Sequence, residues 1–328
     1  MDYRPFGSTG VQVSQLCFGT MSFGGDADEA ESGRLYAACR NRGINFFDTA
    51  DAYSMGRSEE ILGRLIAGER DNLIISSKCF NPMSDDINGG GANRRHIATA
   101  VEASLKRLGT DRLDILFMHQ WDARVPLEET LRALEKLVRD GKVLYLGASN
   151  YAAYRLADSQ WISKTEHLHR FVSLQMQYSL LVRDLEREHV PLCRQFGLGV
   201  LPWSPLAGGF LSGKYAKGAP PPAGVRLEKW KERLSDYDTE RNWRTLEAVQ
   251  AIAKARETTA SAVSLAWLIA KPTVSSVIFG ARSIEQLDAN LAAADVKLTA
   301  DEVQKLDEAS AYSLGYPYEF MANIQKRW

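Results

Sequence analysis

The chain has 328 residues, of which 45% are hydrophobic and 25% are charged, and its formal net charge is -1. This composition is that of an ordinary soluble globular protein, and the balanced charge argues against nucleic acid as a partner. Because barrels of strands and helices commonly reach this size, we expect one domain spanning residues 1–328.

Several sequence features argue against a secreted or membrane-embedded protein. No apolar stretch approaches the roughly 18 to 20 residues needed to cross a bilayer. Met1 to Pro5 contain Asp2 and Arg4 instead of the apolar core of a signal peptide. No C-x-x-C pair occurs among the cysteines, which are Cys17, Cys39, Cys79 and Cys193. We therefore expect a protein of the reducing cytoplasm, with no membrane partner and no metal site.

Short apolar runs alternate with amphipathic segments along the chain. The first two runs, at residues 3–6 and 11–13, flank Gly7 and Gly10 and predict a small hairpin. Eight further runs predict buried strands at residues 15–20, 45–48, 73–79, 113–119, 143–149, 172–175, 199–203 and 274–279. Periodic segments between them predict helices at residues 29–42, 58–66, 94–108, 127–140, 151–160, 184–196, 239–253 with 261–270, and 283–294.

The alternation of eight strands with helices predicts a closed parallel (β/α)8 TIM barrel, with the N-terminal hairpin as a plug at its bottom. The helices are expected to end at glycines that can adopt a left-handed backbone, namely Gly43, Gly109, Gly141 and Gly197. Residues 204–237 are too long for an ordinary loop, which suggests a function. Thr299 and Glu302 form a capping-box pattern that predicts an extra C-terminal helix at residues 299–310, followed by a tail.

Four polar residues stand at the ends of apolar runs: Asp48, Tyr53, Lys78 and His119. A parallel barrel gathers the C-terminal ends of its strands on one rim, so these side chains are expected to meet there. Each residue alone has an ordinary explanation, as a cap, a solvated charge or a packed ring. Together they predict an active site.

Two nucleotide-binding motifs are not supported. Residues 208–215 have the glycine and lysine spacing of a P-loop, but Tyr215 occupies the position of the Mg²⁺-binding hydroxyl residue, which indicates a chance match. No G-x-G-x-x-G follows a first strand, so a Rossmann domain is not predicted.

Several segments resemble the aldo-keto reductase family, in the order expected for that family and over nearly the whole chain. They are residues 47–53 with Ser58, Glu59, Glu60, Leu62 and Gly63, then 75–78, 108–114, 118–119, 147–150, Gln175, 202–206, and 280–283 with Gln286 and Asn290. The resemblance implies reversible NADPH-dependent reduction of a small carbonyl substrate, an aldehyde or ketone such as a sugar, to the alcohol.

The chemistry of this reduction assigns a role to each of the four rim residues. The cofactor supplies a hydride, so a side chain must give the proton, and the resemblance assigns this role to Tyr53. A free tyrosine has a pKa of about 10, and we expect the charge of Lys78 to lower it. Asp48 would keep Lys78 charged and oriented. His119 would hydrogen-bond the carbonyl oxygen.

The resemblance also implies a cofactor site along the rim. Amide and hydroxyl groups of Ser149, Asn150 and Gln175 would hold the nicotinamide carboxamide, and Trp203 would stack on the ring. Further expected cofactor contacts are Gly19, Thr20, Ser204, Leu206, Gly208, Leu211, Lys214, Gly280, Arg282, Ser283, Gln286 and Asn290. The helix start beside Arg282 suits an extra phosphate, which favours NADPH over NADH.

The substrate pocket is expected between the loops that follow the strands and the C-terminal tail. Its predicted lining residues are Phe23, Met55, Phe80 and Trp121. Two alternatives remain open. One is a channel-associated barrel that holds NADPH and turns over very slowly, and the other is a barrel lyase or hydrolase that uses Lys78 as a Schiff-base amine.

Overall fold

A computed structural model describes residues 1–229 and 231–326. In these ranges the strands are β1 (Tyr3–Pro5), β2 (Gln12–Ser14), β3 (Leu16–Gly19), β4 (Phe46–Asp48), β5 (Ile74–Cys79), β6 (Leu113–Met118), β7 (Val143–Ser149), β8 (Phe171–Gln177), β9 (Gly199–Trp203) and β10 (Val277–Phe279). Strands β3 to β10 form one parallel sheet in the order β10-β3-β4-β5-β6-β7-β8-β9. A parallel bridge between Val200 and Val274 joins its two ends, so the predicted TIM barrel is confirmed.

Helices follow the strands around the outside of the barrel. They are α1 (Glu29–Asn41), α2 (Arg57–Ile66), α3 (Arg94–Leu108), α4 (Leu127–Arg139), α5 (Ala153–Thr165), α6 (His189–Phe196), α7 (Arg226–Lys229), α8 (Lys231–Tyr237), α9 (Glu240–Ala255), α10 (Ala260–Ile269), α11 (Ile284–Leu291), α12 (Ala300–Ala309) and α13 (Tyr318–Gln325). In the described part of the chain, no helix combines the length and apolar character needed to cross a membrane.

The prediction of helices was incomplete in two segments. The stretch expected as a long loop after β9 contains a 3₁₀ segment, Ala207–Ser212, and the short helices α7 and α8. The C-terminal tail contains α13, which the sequence analysis did not predict and which has no buried residues. The capping box of α12 is present as predicted, between Thr299 and Glu302.

The N-terminal hairpin of β1 and β2 fills the bottom of the barrel. Phe6 and Val13 are fully buried in a cluster with interior residues of the strands, which are Cys17, Phe46, Ile115, Phe117, Leu201 and Ile278. The rings of Phe6 and Phe46 meet edge to face with centroids 5.9 Å apart. The bottom half of the interior is thus an apolar core, as expected for the end of a TIM barrel that carries no catalytic residues.

Interior positions alternate along each strand, which places polar residues directly above this apolar layer. On β4, Phe46 belongs to the lower layer and Asp48, two residues later, to the upper one. On β5, Ser76 and Lys78 are likewise separated by two residues and lie on the same face. The period of two therefore directs the polar side chains of the site toward the barrel axis.

Gly147 on β7 lies beside Phe117 of β6, its partner in the parallel register. A Cβ atom at Gly147 would approach the Phe117 ring to 2.2 Å, a distance at which the ring must move. Because Phe117 is fully buried in the lower layer, the surrounding core would have to shift with it.

We predict that Gly147→Ala lowers the free energy of unfolding by about 1–3 kcal/mol through overpacking. Urea unfolding measures this change. Gly68→Ala is the matched control, because a Cβ there has no atom within 4 Å. Equal effects of the two substitutions would contradict this account of the packing.

Candidate active site

The four predicted side chains converge at the C-terminal rim of the barrel. Asp48 is the last residue of β4, Lys78 lies near the end of β5, and His119 directly follows β6. Tyr53 lies in the tight turn after β4, in which Ser54 and Met55 have positive φ angles of 48° and 53°. The Lys78 ammonium donates hydrogen bonds to Asp48 Oδ2 at 2.5 Å, to the Thr49 carbonyl at 2.7 Å and to the Tyr53 hydroxyl at 3.2 Å.

Asp48 is held by three donors. Besides Lys78, the hydroxyl of Ser76 donates to its Oδ1 at 2.7 Å and the Gln175 amide donates to the same oxygen at 3.0 Å. These bonds satisfy both carboxylate oxygens of a residue that is only 2% exposed. The orientation of the ion pair is therefore fixed by three strands of the barrel.

Lys78 carries its proton throughout the ordinary pH range. Burial alone would lower its pKa, but the charge of Asp48 and the oxygen of Tyr53 outweigh burial and raise the pKa above that of a free lysine. The side chain is completely inaccessible to solvent. A permanent positive charge therefore lies directly behind the Tyr53 phenol.

The prediction of a lowered Tyr53 pKa was wrong for the ligand-free protein. Burial of the ring raises the pKa above 10.0 and Asp48 raises it further, while Lys78 lowers it only in part. At neutral pH the phenol therefore holds its proton and can donate it. Lys78 acts by stabilising the phenolate that is left after donation.

His119 is a neutral hydrogen-bonding group. Burial, and then the charge of Lys78, lower its pKa to about 3. The Asn81 amide lies 3.3 Å from Nδ1, and an amide nitrogen can only donate, so the ring proton resides on Nε2. The rings of Tyr53 and His119 are perpendicular, with centroids 6.2 Å apart. Both side chains are partly accessible, so the phenol O–H of Tyr53 and the Nε2–H of His119 can donate hydrogen bonds to a bound molecule.

The residues expected at the nicotinamide are linked to this group by hydrogen bonds. The Asn150 amide donates to the His119 carbonyl at 2.9 Å and to Ser149 Oγ at 3.1 Å. Trp203 Nε1 donates to Asn150 Oδ1 at 3.2 Å, which leaves the faces of the indole free of hydrogen bonds. Gln175 is committed to Asp48. These amides thus support the site, and their contact with a carboxamide stays a prediction.

Three cations converge near the segment after β9. The pKa of Lys214 is lowered by burial and by the charges of Arg282 and Arg226, and that of Arg226 by burial and Arg282. Arg282 also lies 3.8 Å from Asp26, a weak ion pair. Mutual repulsion of this kind is relieved when an anion binds, so the cluster fits a phosphate.

The backbone around this cluster is folded in a way that suits the predicted contacts. Ser204 and Gly208 have positive φ angles of 53° and 66°, which curl the segment that also contains Leu206. Ser283 caps α11 by accepting a hydrogen bond from the Gln286 N–H. The Gln286 side chain accepts from the Arg282 N–H at 3.1 Å.

Three expected contact residues have buried side chains. Thr20 bonds to Ser58 Oγ at 2.8 Å, and Leu211 packs in the core, so neither side chain is accessible. Asn290 donates to the Gly280 carbonyl at 3.2 Å and shapes the turn before α11. Gly280 in turn lies against the main chain of Gly19.

The expected pocket residues divide into two groups. Phe80 and Trp121 are partly buried, and Met55 is 67% exposed on the turn that begins with Tyr53. Phe23 departs from the expectation, because it is 0% exposed and packs against Phe18 in the core. Its aromatic side chain was favoured by residue type alone, which does not distinguish a pocket wall from a core.

Sequence reasoning missed three residues that contribute to the site. Ser76 could have been found from the alternation on β5, which places it on the same face as Lys78. Arg226 is a cation within the long segment that was already suspected of function. Asn81 gave no signal, because its contact with His119 depends on how the loop after β5 folds.

Comparisons with known proteins relate the chain to one group of enzymes and channel subunits. Residues 15–311 match the sequence profile of the aldo/keto reductase family. The chain is 36% identical over 319 residues to the uncharacterized oxidoreductase YrpG of Bacillus subtilis, covering 94% of this chain and 95% of that protein. It is 36% identical over 315 residues to a probable voltage-gated potassium channel subunit beta of Oryza sativa, and the match covers 94% of this chain and 96% of that protein. It is 32% identical over 338 residues to the versiconal hemiacetal acetate reductase of Aspergillus parasiticus, and the match covers 94% of this chain and 96% of that protein.

We predict that His119 stays neutral from pH 5 to pH 8, because its pKa is lowered to about 3. In NMR titrations of the ligand-free protein, its ring resonances should stay constant over a range in which free histidine, with a pKa of about 6.5, titrates. The resonances are assigned by their absence from the His119→Gln spectrum. A midpoint near 6.5 would contradict the expected environment.

Proposed function

Because the chain belongs to the aldo/keto reductase family, we propose that it reduces an aldehyde or ketone with NADPH and that Tyr53 donates the proton. The protein is an NAD(P)H-dependent oxidoreductase. The observation that carries the assignment of Tyr53 is its hydroxyl oxygen, 3.2 Å from the buried ammonium of Lys78. No other tyrosine among the described residues has a hydrogen bond to a lysine ammonium.

The side chains account for the proton and the charge in this reaction. The nicotinamide supplies a hydride when it is bound. The Tyr53 phenol gives its proton to the carbonyl oxygen, and the Nε2–H of His119 orients that oxygen and stabilises charge developing on it. Unit charges about 4 Å apart interact by about 4 kcal/mol at an effective dielectric constant of 20, so Lys78 stabilises the resulting phenolate. In the reverse reaction the phenolate accepts the proton of the alcohol.

The cluster of Lys214, Arg226 and Arg282 supports a cofactor with several phosphates. Lys214 and Arg226 would hold the pyrophosphate, and Arg282 with Ser283 at the start of α11 would hold the additional phosphate of NADPH. Trp203 would stack on the nicotinamide. NADH lacks the additional phosphate and would leave the charge of Arg282 uncompensated, except by Asp26.

The residue types expected around the substrate favour a substrate that has an apolar group or a group that can stack on an aromatic ring. Met55, Phe80 and Trp121 come from three different loops that follow strands β4, β5 and β6. The guanidinium of Arg155 lies 5.2 Å from the centre of the Trp121 ring, which restrains that ring. We therefore propose an aldehyde or ketone that carries an aromatic, aliphatic or sugar group.

A channel-associated role is a second candidate, because one relative is named as a potassium channel subunit and is as similar as the oxidoreductase from Bacillus subtilis. A binding module of this kind would hold NADPH without rapid turnover. The intact arrangement of Tyr53, Lys78 and Asp48 favours the enzyme. Single-turnover oxidation of bound NADPH by a reactive aldehyde distinguishes the two.

The geometry opposes a Schiff-base lyase. Such chemistry requires a neutral amine that can reach a carbonyl carbon. Lys78 is inaccessible, its ammonium is paired with Asp48 at 2.5 Å, and its pKa is raised.

We predict that Tyr53→Phe lowers the rate of aldehyde reduction by about 10²–10⁴-fold, the usual contribution of a general acid. Stopped-flow absorbance of NADPH measures the rate, and fluorescence titration should show NADPH binding within a few-fold of the wild type. Tyr3→Phe, on the hairpin at the opposite end of the barrel, is the control and should keep full activity. Rapid reduction by Tyr53→Phe would remove the assignment.

We predict that Arg282→Gln weakens NADPH binding by about 10–100-fold, the value of a hydrogen bond to a charged group, while NADH binding changes much less. Fluorescence titration with each cofactor measures both affinities. Lys217→Gln is the control, because Lys217 is an exposed cation after β9 that pairs with Glu240. Equal losses for the two cofactors would assign Arg282 to the pyrophosphate and contradict its role in NADPH preference.

A further inference from the structure

Asp51 is a buried acid beside the site that the proposed reaction does not use. It lies between Asp48 and Tyr53 in the chain, and it is 0% exposed. Among the described residues no side chain donates a hydrogen bond to either carboxyl oxygen, and the backbone N–H of Ala52 is the one donor that acts on the group. Buried carboxyl groups are normally hydrogen-bonded or paired with a cation, so this residue requires an explanation.

The backbone ties Asp51 to the strand that carries the ion pair. Its N–H donates to the carbonyl of Lys78 at 3.1 Å. The main chain of Asp51 is therefore held beside that of Lys78. The charge of its carboxyl group acts on both Lys78 and Tyr53, raising the pKa of the Tyr53 phenol while the Lys78 charge lowers that of Asp51.

The neighbouring cation on the outer side is already neutralised. Glu59 of α2, which is fully buried, accepts hydrogen bonds from Ser77 Oγ at 2.5 Å and from Arg107 Nε of α3 at 2.7 Å. Lys78 is neutralised by Asp48 in the same way. The ionisable groups that act on Asp51 are thus two paired cations, Lys78 and Arg107, the carboxylate of Glu59, the Cys79 thiol and the Tyr53 phenol.

We propose that Asp51 is a positioning residue of the reductase site, whose buried carboxyl group has no side-chain partner and gains or loses a proton, thereby tuning the Tyr53–Lys78 pair. The coupling to catalysis rests on the proposed function, whereas the titration of Asp51 does not.

The environment sets the pH at which this tuning occurs. Burial, and then the charge of Glu59, raise the pKa of Asp51 to about 7. Below this pH Asp51 is neutral. Above this pH Asp51 is ionised, and its negative charge adds to that of Asp48 and opposes formation of the Tyr53 phenolate. Alcohol oxidation requires this phenolate, because it accepts the proton of the alcohol. Asp51 thus moves the onset of oxidation to higher pH.

The first test compares the stability of the ligand-free wild type and Asp51→Asn from pH 4 to pH 9. An unfolded aspartate releases its proton near pH 4, but folded Asp51 retains it up to about pH 7. Its contribution to stability is therefore full below pH 4 and is lost as pH rises to 7. The melting temperature of Asp51→Asn should exceed that of the wild type by a margin that grows up to pH 7 and then stays constant.

Asp158→Asn on α5, at an exposed position, controls for the loss of one negative charge. A margin that does not change with pH would overturn the proposal, because Asp51 would then not titrate in the folded protein.

The second test measures the coupling to Tyr53 through the pH dependence of kcat for alcohol oxidation. In Asp51→Asn the rising limb should move to lower pH by roughly half a unit to one unit, the effect of one charge at a buried site. An unmoved limb would overturn the tuning role even if Asp51 titrates. Absence of turnover in the wild type would overturn the proposed function, and the melting curves would still decide whether Asp51 titrates.

If Asp51→Asn does not fold, infrared titration of the wild type tests whether Asp51 gains and loses a proton. The wild type should keep a protonated carboxyl C=O absorption that is lost near pH 7. Glu59→Gln removes the neighbouring negative charge, so the band should be lost at lower pH. Loss of all such absorption near pH 4 in the wild type would overturn the proposal.

Discussion

The ion pair between Lys78 and Asp48 is the constraint on which the site depends. An ammonium that is removed from water is stable in a protein only when a counter-charge and hydrogen-bond acceptors replace its hydration. Asp48, the Thr49 carbonyl and the Tyr53 hydroxyl provide these partners. Asp48 is in turn fixed by donors on other strands, so the barrel must close correctly before the pair can form. The fold and the reactive phenol are therefore specified by the same contacts.

Two layers inside the barrel separate stability from chemistry. The lower layer, closed by Phe6 from the hairpin, is apolar and tightly packed, with Gly147 left without a side chain to admit the Phe117 ring. The upper layer contains Asp48 and Lys78, whose cost of burial the lower layer must offset. Because both layers belong to the same strands, a shift in the core is transmitted to the rim, and rigid packing below keeps the hydrogen-bond distances above.

The sequence predicted those features that depend on local patterns. Alternating strands and helices predicted the barrel, and the ends of the strands predicted where Asp48, Lys78 and His119 meet. The sequence could not predict features that depend on tertiary distances. Phe23 has an aromatic side chain of the kind that lines pockets, but it is buried in the core. The pKa of Tyr53 depends on how far burial outweighs one neighbouring charge, and the sequence contains no measure of burial.

The balance of charge explains how so many ionisable groups can be buried together at the site. Lys78 and Arg107 are each neutralised by one carboxylate, Asp48 and Glu59 respectively. A third carboxylate at Asp51 has no cation left to pair with, so it keeps its proton until the pH is high enough to overcome burial. When the Tyr53 phenol gives up its proton, the same limitation applies, because the new negative charge must share Lys78 with Asp48. In the proposed role of Asp51, the Tyr53 phenolate therefore forms more easily while Asp51 is neutral, because one negative charge fewer then lies near Lys78.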